Sequence, residues 1–388
     1  MRKMPVFYEN SAMLTKQVLY ENSVNAYDAS FAKAKLLGGV TLSNKVSVLV
    51  AGSWGTALAS VLADNGKQVL LWSRNEDQVK EINEKHRNSR FLQDVELSPL
   101  IVATNSLQEA VEDADAIIMV VPSSGMREVA SRMRPFLKKD TLVVHATKGF
   151  ETGTLKRMTE VLADELPEID AKRLVVLSGP SHAEEVIRKC PTTVVVAAQD
   201  LKAAEAAQDL LINSYFRVYT NPDVAGVEVG GALKNIIALG AGLTDGLGFG
   251  DNAKAALMTR GLAEIARLGT AMGANPLTFS GLAGIGDLIV TCTSQHSRNW
   301  RAGNKLANGI PLSEVLKEMG MVVEGVKTTK AAYELSRRFD VTMPITDELY
   351  NVLFDGKSPQ LAAQDLMGRV RTHEIEEVAT GSVTNVLK

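Results

Sequence analysis

Cysteine is scarce. Cys190 and Cys292 are the only two in 388 residues, too few for a disulfide framework and at no metal-ligand spacing, which points to a reducing, cytosolic setting and to no metal site. A basic excess is missing as well. Lys and Arg number 42 against 45 Asp and Glu, a net charge of −3, so no global field recruits nucleic acid or an anionic membrane, and phosphate binding has to be local. No stretch reads as the ~18 apolar residues of a membrane span. The first 44 residues show neither a secretory apolar core with a cleavage site nor an arginine-rich transit pattern. They mix charges (Arg2, Lys3, Glu9, Lys16, Glu21, Asp28, Lys33, Lys35) with small apolar groups. They read as an N-terminal extension, partly disordered or locally helical, outside the fold.

What remains has the composition of a folded soluble protein, 45% hydrophobic and 22% charged, and its length suits two domains. From Lys45 onward short apolar runs alternate with amphipathic segments. Strands are expected at 46–51, 69–72, 117–121, 141–145, 174–177, 193–197 and 216–219. Most are Val-, Ile- and Leu-rich over a few residues, as in parallel strands buried on both faces. Helical patterns separate them at 56–65, 77–85, 124–136 and 201–211. This alternation predicts a doubly wound α/β sheet. After Asn221-Pro222 the β-branched runs stop. Leu262, Ile265, Leu268 and Met272 recur at helical spacing, and further helical patterns follow at 298–307, 325–337 and 344–354. The expected division is an extension at 1–44, a dinucleotide-binding Rossmann-like α/β domain at 45–220, and an all-α substrate and catalytic domain at 221–388.

The first strand runs into SVLVAGSWGTALA at 47–59. In the dinucleotide fingerprint one glycine makes the turn, a second admits the pyrophosphate, and a third lets helix pack on strand. Gly52 and Gly55 hold the second and third places, while Val50 stands at the first, where it is free to continue the strand ladder. Strain or crowding at Val50 is expected to cost ~1–3 kcal/mol of cofactor binding. The second strand ends at Trp72-Ser73-Arg74-Asn75 without a carboxylate. Arg74 suits a 2′-phosphate, so NADP or dual use is favoured over exclusive NAD use.

Four later stretches carry chemistry. In HATKGFE at 145–151, Lys148 sits in the turn after a strand, where open α/β sheets bind ligands. In SGPSHAEEV at 178–186, Ser181 and Glu184 have the spacing of a capping box, which also turns N–H groups toward a ligand. In EVGGALKNIIALGAG at 228–242, Lys234 lies in an apolar helical run; burial would pull its pKa toward neutrality, as a general acid/base requires, unless the chain snorkels to the surface. In the stretch 281–300, Asp287 and Thr291 share a helical face, and Ser297-Arg298-Asn299 opens a helix in a way suited to phosphate.

Together GSWGTALA, TKG, GPSHAEEV, GALKN, GLAGIGDLIVTC, SRN and VVEGV occur in the order and spacing of the NAD(P)-dependent glycerol-3-phosphate dehydrogenase family of the soluble bacterial type. The chain resembles that family over about residues 45–375. The resemblance implies a cytoplasmic oxidoreductase that interconverts sn-glycerol 3-phosphate and dihydroxyacetone phosphate with NAD or NADP and supplies glycerol phosphate for phospholipids. It assigns Lys234 as proton acceptor, with Lys148 and Asp287 as catalytic partners. It places Lys148, Gly179, Ser181, Lys234, Asp287, Ser297, Arg298 and Asn299 on the substrate. Ser53, Trp54, Arg74, Lys148, Ala183, Arg298, Val322 and Glu324 fall on the cofactor. The expected partner is a small phosphorylated substrate; a homodimer is allowed but not required. Two alternatives stay open: a related dehydrogenase of hydroxy acids or sugar-acid phosphates, and a nucleotide sensor without catalysis.

Overall fold

The computed structural model describes residues 45–370 apart from Met321; the expected extension at 1–44 and the positions beyond 370 lie outside the described residues. Eight strands form one sheet: β1 (Lys45–Leu49), β2 (Gln68–Trp72), β3 (Ile101–Thr104), β4 (Ala116–Met119), β5 (Leu142–His145), β6 (Val175–Ser178), β7 (Thr192–Ala197) and β8 (Phe216–Asn221). Their spatial order is β3-β2-β1-β4-β5-β6-β7-β8. Successive side chains point to opposite faces of a strand, so each strand feeds two cores. On one face Val48, Leu71, Val144 and Val196 meet Leu58 and Leu62 of helix Ser53–Asp64 and Ala207 of helix Leu201–Leu211. On the other, Leu49, Ile117, Met119 and Val143 meet helices Met126–Met133 and Met158–Glu165. The expected α/β sheet is therefore present. Its strand order reverses between β1 and β4, which opens a crevice at their carboxyl ends.

Two details differ from expectation. β3 was not anticipated: it has four residues at the sheet edge, with Val102 51% exposed, and the apolar run at 100–103 is too short to mark a strand by pattern alone. β7 pairs antiparallel with β6, whereas every other neighbouring pair is parallel. The β6–β7 connection contains only the four-residue helix Ala183–Val186. Without a full crossover helix the chain folds back beside β6.

Helices make up the rest. The central one, Val224–Gly246, is buried at almost every position from Gly226 to Leu243. No span-length apolar stretch is expected from the sequence, yet by length and composition this helix qualifies as one. Its apolar window is 94% buried inside the protein, which marks it as a core helix, since a helix apolar all round must be covered on all sides. Helix Arg298–Ala307 crosses it in backbone contact. A Cβ on Gly303 would lie 2.0 Å from Leu239 O, and one on Gly242 would lie 2.0 Å from Trp300 O. Only glycine permits that approach, and it brings Ser297, Arg298 and Asn299 beside the turn of the long helix that carries Lys234.

Candidate active site

The fingerprint turn closes in spite of Val50. Strand β1 ends at Leu49, and Val50 takes φ +84° instead of continuing the ladder. The N–H groups of Val50 and Ala51 both donate to Trp72 O, at 3.0 and 3.1 Å. A β-branched residue in that region is strained, by ~1–3 kcal/mol. The strain persists because the neighbouring contacts dictate it: a Cβ on Gly55 would sit 2.1 Å from Val50 O, so the helix is seated directly on this turn. Gly52, the N-cap of helix Ser53–Asp64, has nothing within 4 Å of a built Cβ. That open space lies over the first N–H groups of the helix, which have no intrahelical acceptor. The turn therefore fits a pyrophosphate, held by backbone donors and the positive helix end. Exchanging Val50 for glycine at an ordinary half-buried position would cost ~2 kcal/mol in lost packing and chain entropy. Here released strain offsets that loss. We expect Val50→Gly to keep its Tm within ~2 °C of wild type; a drop of ~4–8 °C would show that the turn holds no strain.

Deeper in the crevice, one carboxylate is shared by two ammonium groups. Asp287 is 1% exposed and begins helix Asp287–Thr293 directly after a π-helical turn, Leu282–Gly286; such turns re-aim side chains at functional sites. Its Oδ1 accepts from Lys234 Nζ, and its Oδ2 accepts from Lys148 Nζ at 2.6 Å and lies 3.4 Å from Ser178 Oγ. Lys234 Nζ also donates to Thr291 Oγ1 at 2.6 Å, and that hydroxyl donates to Asp287 O. Lys148 reaches in from the loop after β5, its Nζ 3.5 Å from Gly179 O. Gly231, three residues before Lys234, makes room: a Cβ there would meet Ser178 Oγ at 2.7 Å.

Lys234 is 5% exposed, and its pKa is pushed down to about 7 by burial first and by the Lys148 charge, with Asp287 opposing both. Burial would raise Asp287, but the two ammonium groups outweigh it and hold the carboxyl below its usual range. Snorkelling is thus overturned: the amine is buried against an acid, with a neighbouring hydroxyl as second partner.

The other expected residues lie around this pair. Ser297 caps helix Arg298–Ala307, its Oγ accepting from Trp300 N at 3.2 Å. Arg298 is exposed at the helix start and donates to Val322 O at 3.3 Å. Glu324 accepts from Ser123 Oγ at 3.0 Å, which ties the helical part to the end of β4. Asn299 Nδ2 donates to Asn235 Oδ1 and its Oδ1 accepts from Gly325 N, both at 2.9 Å. Ser53 and Trp54 form the first turn of their helix, with Ser53 Oγ donating to Phe91 O at 3.2 Å. Arg74 is exposed in the turn after β2. Gly179, at φ +124°, lies against Val194, where a Cβ would be 3.0 Å from its Cα. Ala183 is buried at the start of its short helix. The capping box is not formed: His182 is the N-cap, and Ser181 Oγ donates to Gly179 O at 2.9 Å. Thr291, Asn235 and Ser123 were assigned no role from sequence. Thr291 was legible as the i+4 neighbour of Asp287, and Asn235 as the residue after Lys234; nothing local signals Ser123.

A Rossmann-like sheet with a fitted pyrophosphate turn, joined to a helical part bearing a buried lysine at the same crevice, defines a nicotinamide-nucleotide oxidoreductase. Residues 45–204 match the family model for the NAD-dependent glycerol-3-phosphate dehydrogenase N-terminus, and residues 223–364 match that for its C-terminus. The chain is 60% identical over 334 residues to a glycerol-3-phosphate dehydrogenase [NAD(P)+] of Bacillus subtilis (strain 168), covering 86% of this chain and 97% of the relative. Among solved structures it is similar to glycerol-3-phosphate dehydrogenase from Coxiella burnetii, with TM-score 0.80 and 39% identity over 84% of this chain and 99% of that one. A yeast glycerol-3-phosphate dehydrogenase structure gives 0.73 and 28%, with 84% and 99% covered. The chain belongs to the NAD-dependent glycerol-3-phosphate dehydrogenase family, and it is an NAD(P)-dependent enzyme.

Proposed function

We propose that this chain interconverts sn-glycerol 3-phosphate and dihydroxyacetone phosphate with Lys234 as the group that takes and returns the proton. The observation that carries this reading is the Lys234 amine, buried, near-neutral in pKa, and bonded to a carboxylate that also holds Lys148. The backbone N–H groups after Gly52 would hold the pyrophosphate of a nicotinamide nucleotide, and that cofactor would supply the hydride acceptor or donor for C2. In the oxidising direction neutral Lys234 Nζ takes the C2 hydroxyl proton; in the reducing direction protonated Lys234 gives it to the carbonyl oxygen. Lys148 places positive charge beside the oxygen as it becomes negative, and Asp287 aims both amines. Ser297 and Arg298, with the first N–H groups of their helix, hold the phosphate. That distant handle fixes C2 against the cofactor. Arg74 favours the 2′-phosphate of NADP without excluding NAD.

To the same reading belong a division of the chain near residue 220, a cytoplasmic location and supply of glycerol phosphate for phospholipids. So does the absence of a nucleic-acid partner, supported by the net charge of −3.

The test is turnover of NADH and NADPH with dihydroxyacetone phosphate and with 2-keto acids, each across pH. Because Lys234 must be neutral to oxidise and charged to reduce, oxidation should rise as pH passes about 7 and reduction should fall over the same range. Preference for 2-keto acids would overturn the substrate, and rates without a limb in that range would overturn the role of the lysine. Arg298→Ala removes charge-assisted bonds to phosphate of ~1.5–3 kcal/mol. It should raise KM for dihydroxyacetone phosphate about 10–100-fold; an unchanged KM would mean that the phosphate sits elsewhere.

A further inference from the structure

A second buried carboxylate lies behind the two lysines and takes no part in the chemistry above. Glu228 is on helix Val224–Gly246, six residues before Lys234 and thus about 9 Å along its axis; it is 6% exposed. Its Oε2 accepts from Arg157 Nη1 at 2.7 Å and Thr159 Oγ1 at 2.6 Å, and its Oε1 accepts from Thr159 N at 2.8 Å. Oε1 also faces His145 Nε2 at 3.2 Å, a fully buried ring. These partners come from two places in the chain. His145 ends β5. Arg157 is the N-cap of helix Met158–Glu165, so Glu228 satisfies, from another element, one of the N–H groups that a helix start leaves unpaired. The segment between them, 146–156, is the loop that carries Lys148. Its base is narrowed by the Phe150–Arg157 bridge and by Glu151 N donating to Lys156 O at 2.9 Å.

We propose that Glu228 is a positioning residue for the Lys148–Lys234 pair: one carboxylate fastens both ends of the loop bearing Lys148 to the helix bearing Lys234, and so sets the distance between the two amines. This rests on the catalytic reading of the lysines given above. His145 and Arg157 are the charged or titratable side chains that meet Glu228. Burial opposes its charge, but His145, Arg157 and Thr159 outweigh that and keep it ionised. A carboxylate with several donors converging on it holds its neighbours more tightly than apolar packing would. A loosened loop would withdraw the Lys148 charge from Lys234, whose pKa would then rise.

The experiment measures kcat and its pH profile for glycerol 3-phosphate oxidation in Glu228→Gln, Thr159→Val and Lys148→Met, with rates expressed per NADH-binding site so that only folded protein is counted. In Glu228→Gln, kcat is expected to fall about 10–100-fold, the scale of a displacement of about 1 Å at a reacting centre. The rising limb should move up by at least about half a pH unit, in the direction also produced by Lys148→Met. Thr159→Val removes a single donor and should move the limb the same way by less. The proposal is overturned if the limb of Glu228→Gln stays in place, whether or not kcat falls, because general loosening would lower the rate without moving the titration. Should Glu228→Gln yield no NADH-binding protein, Thr159→Val decides, and an unmoved limb there overturns it equally. If Lys148→Met leaves the limb unmoved, the reading of the lysine pair fails; if Lys148→Met moves it and Glu228→Gln does not, the role of Glu228 alone fails.

Discussion

Lys234→Ala is expected to lower kcat by about 10²–10⁴-fold, the contribution of a positioned general acid/base, while NADH and NADPH dissociation constants stay within about twofold. The asymmetry follows from position. Lys234 lies in the middle of a core helix and its polar partners are Asp287 and Thr291, whereas the pyrophosphate turn is built from Gly52, Ser53 and Trp54 at the far end of β1. Folding should survive. Removing the amine leaves Asp287 paired with Lys148 at 2.6 Å, so no buried charge is orphaned, which is the circumstance that makes such substitutions costly. Steady-state rates, nucleotide titration and a thermal melt together check this. Retention of more than a tenth of the wild-type kcat would remove Lys234 from the mechanism, and a lost nucleotide affinity would recast it as a structural residue.

Much of this geometry was legible in the chain, and the exceptions share a cause. Apolar runs such as VSVLV and AIIMVV read as strands covered on both faces, and GGALKNIIALGAG as an apolar helix, although the inward direction of its lysine, against snorkelling, needed the structure. Local pattern suffices where burial is nearly complete. It failed for β3, a four-residue edge strand with Val102 in solvent, and for the direction of β7, because a run covered on both faces reads alike in either orientation. It also failed at Ser181, where the spacing of a capping box was present but the hydroxyl turned back to Gly179 O. Side-chain geometry between distant segments was the least visible. That Lys148 and Asp287 act with Lys234 was expected from the family resemblance. That the same carboxylate also takes Lys148, 139 positions away in the chain, was not, since no spacing rule spans that distance. Glu228 was missed for the same reason: its partners are 69 and 71 positions away. Val50 shows the reverse case, in which the sequence breaks a rule and the structure obeys it, the turn being imposed by the Trp72 carbonyl and by the helix seated on Gly55.

Asp287→Asn should be nearly as damaging as loss of the lysine, by a different route. The wild-type cluster has two ammonium groups and one carboxylate in a space where Asp287 is 1% and Lys234 5% exposed. Taking the negative charge away leaves two cations facing each other with little water, and removal of one partner from a buried pair costs about 3–5 kcal/mol. The system can relieve this by turning Lys148 outward, since its side chain is already 22% exposed, and by discharging Lys234. Both responses act on catalysis. Lys148 then no longer stands beside the forming oxyanion; its withdrawal alone would raise Lys234, but the lost Asp287 charge weighs more than the Lys148 charge, so Lys234 titrates below about 7. Reduction of dihydroxyacetone phosphate needs that charged form, so at neutral pH it should lose more than oxidation does, with kcat down by about 10²–10³-fold. The pH limb should move down, opposite to the shift expected for Glu228→Gln, and Tm should fall. The opposed directions are the strength of the comparison: a fold merely weakened by either change would shift both limbs alike or neither, whereas a carboxylate holding the proton of Lys234 and another holding its cationic neighbour must move them apart. An Asp287→Asn enzyme with wild-type kcat and an unmoved limb would show that the two lysines do not depend on their shared acid.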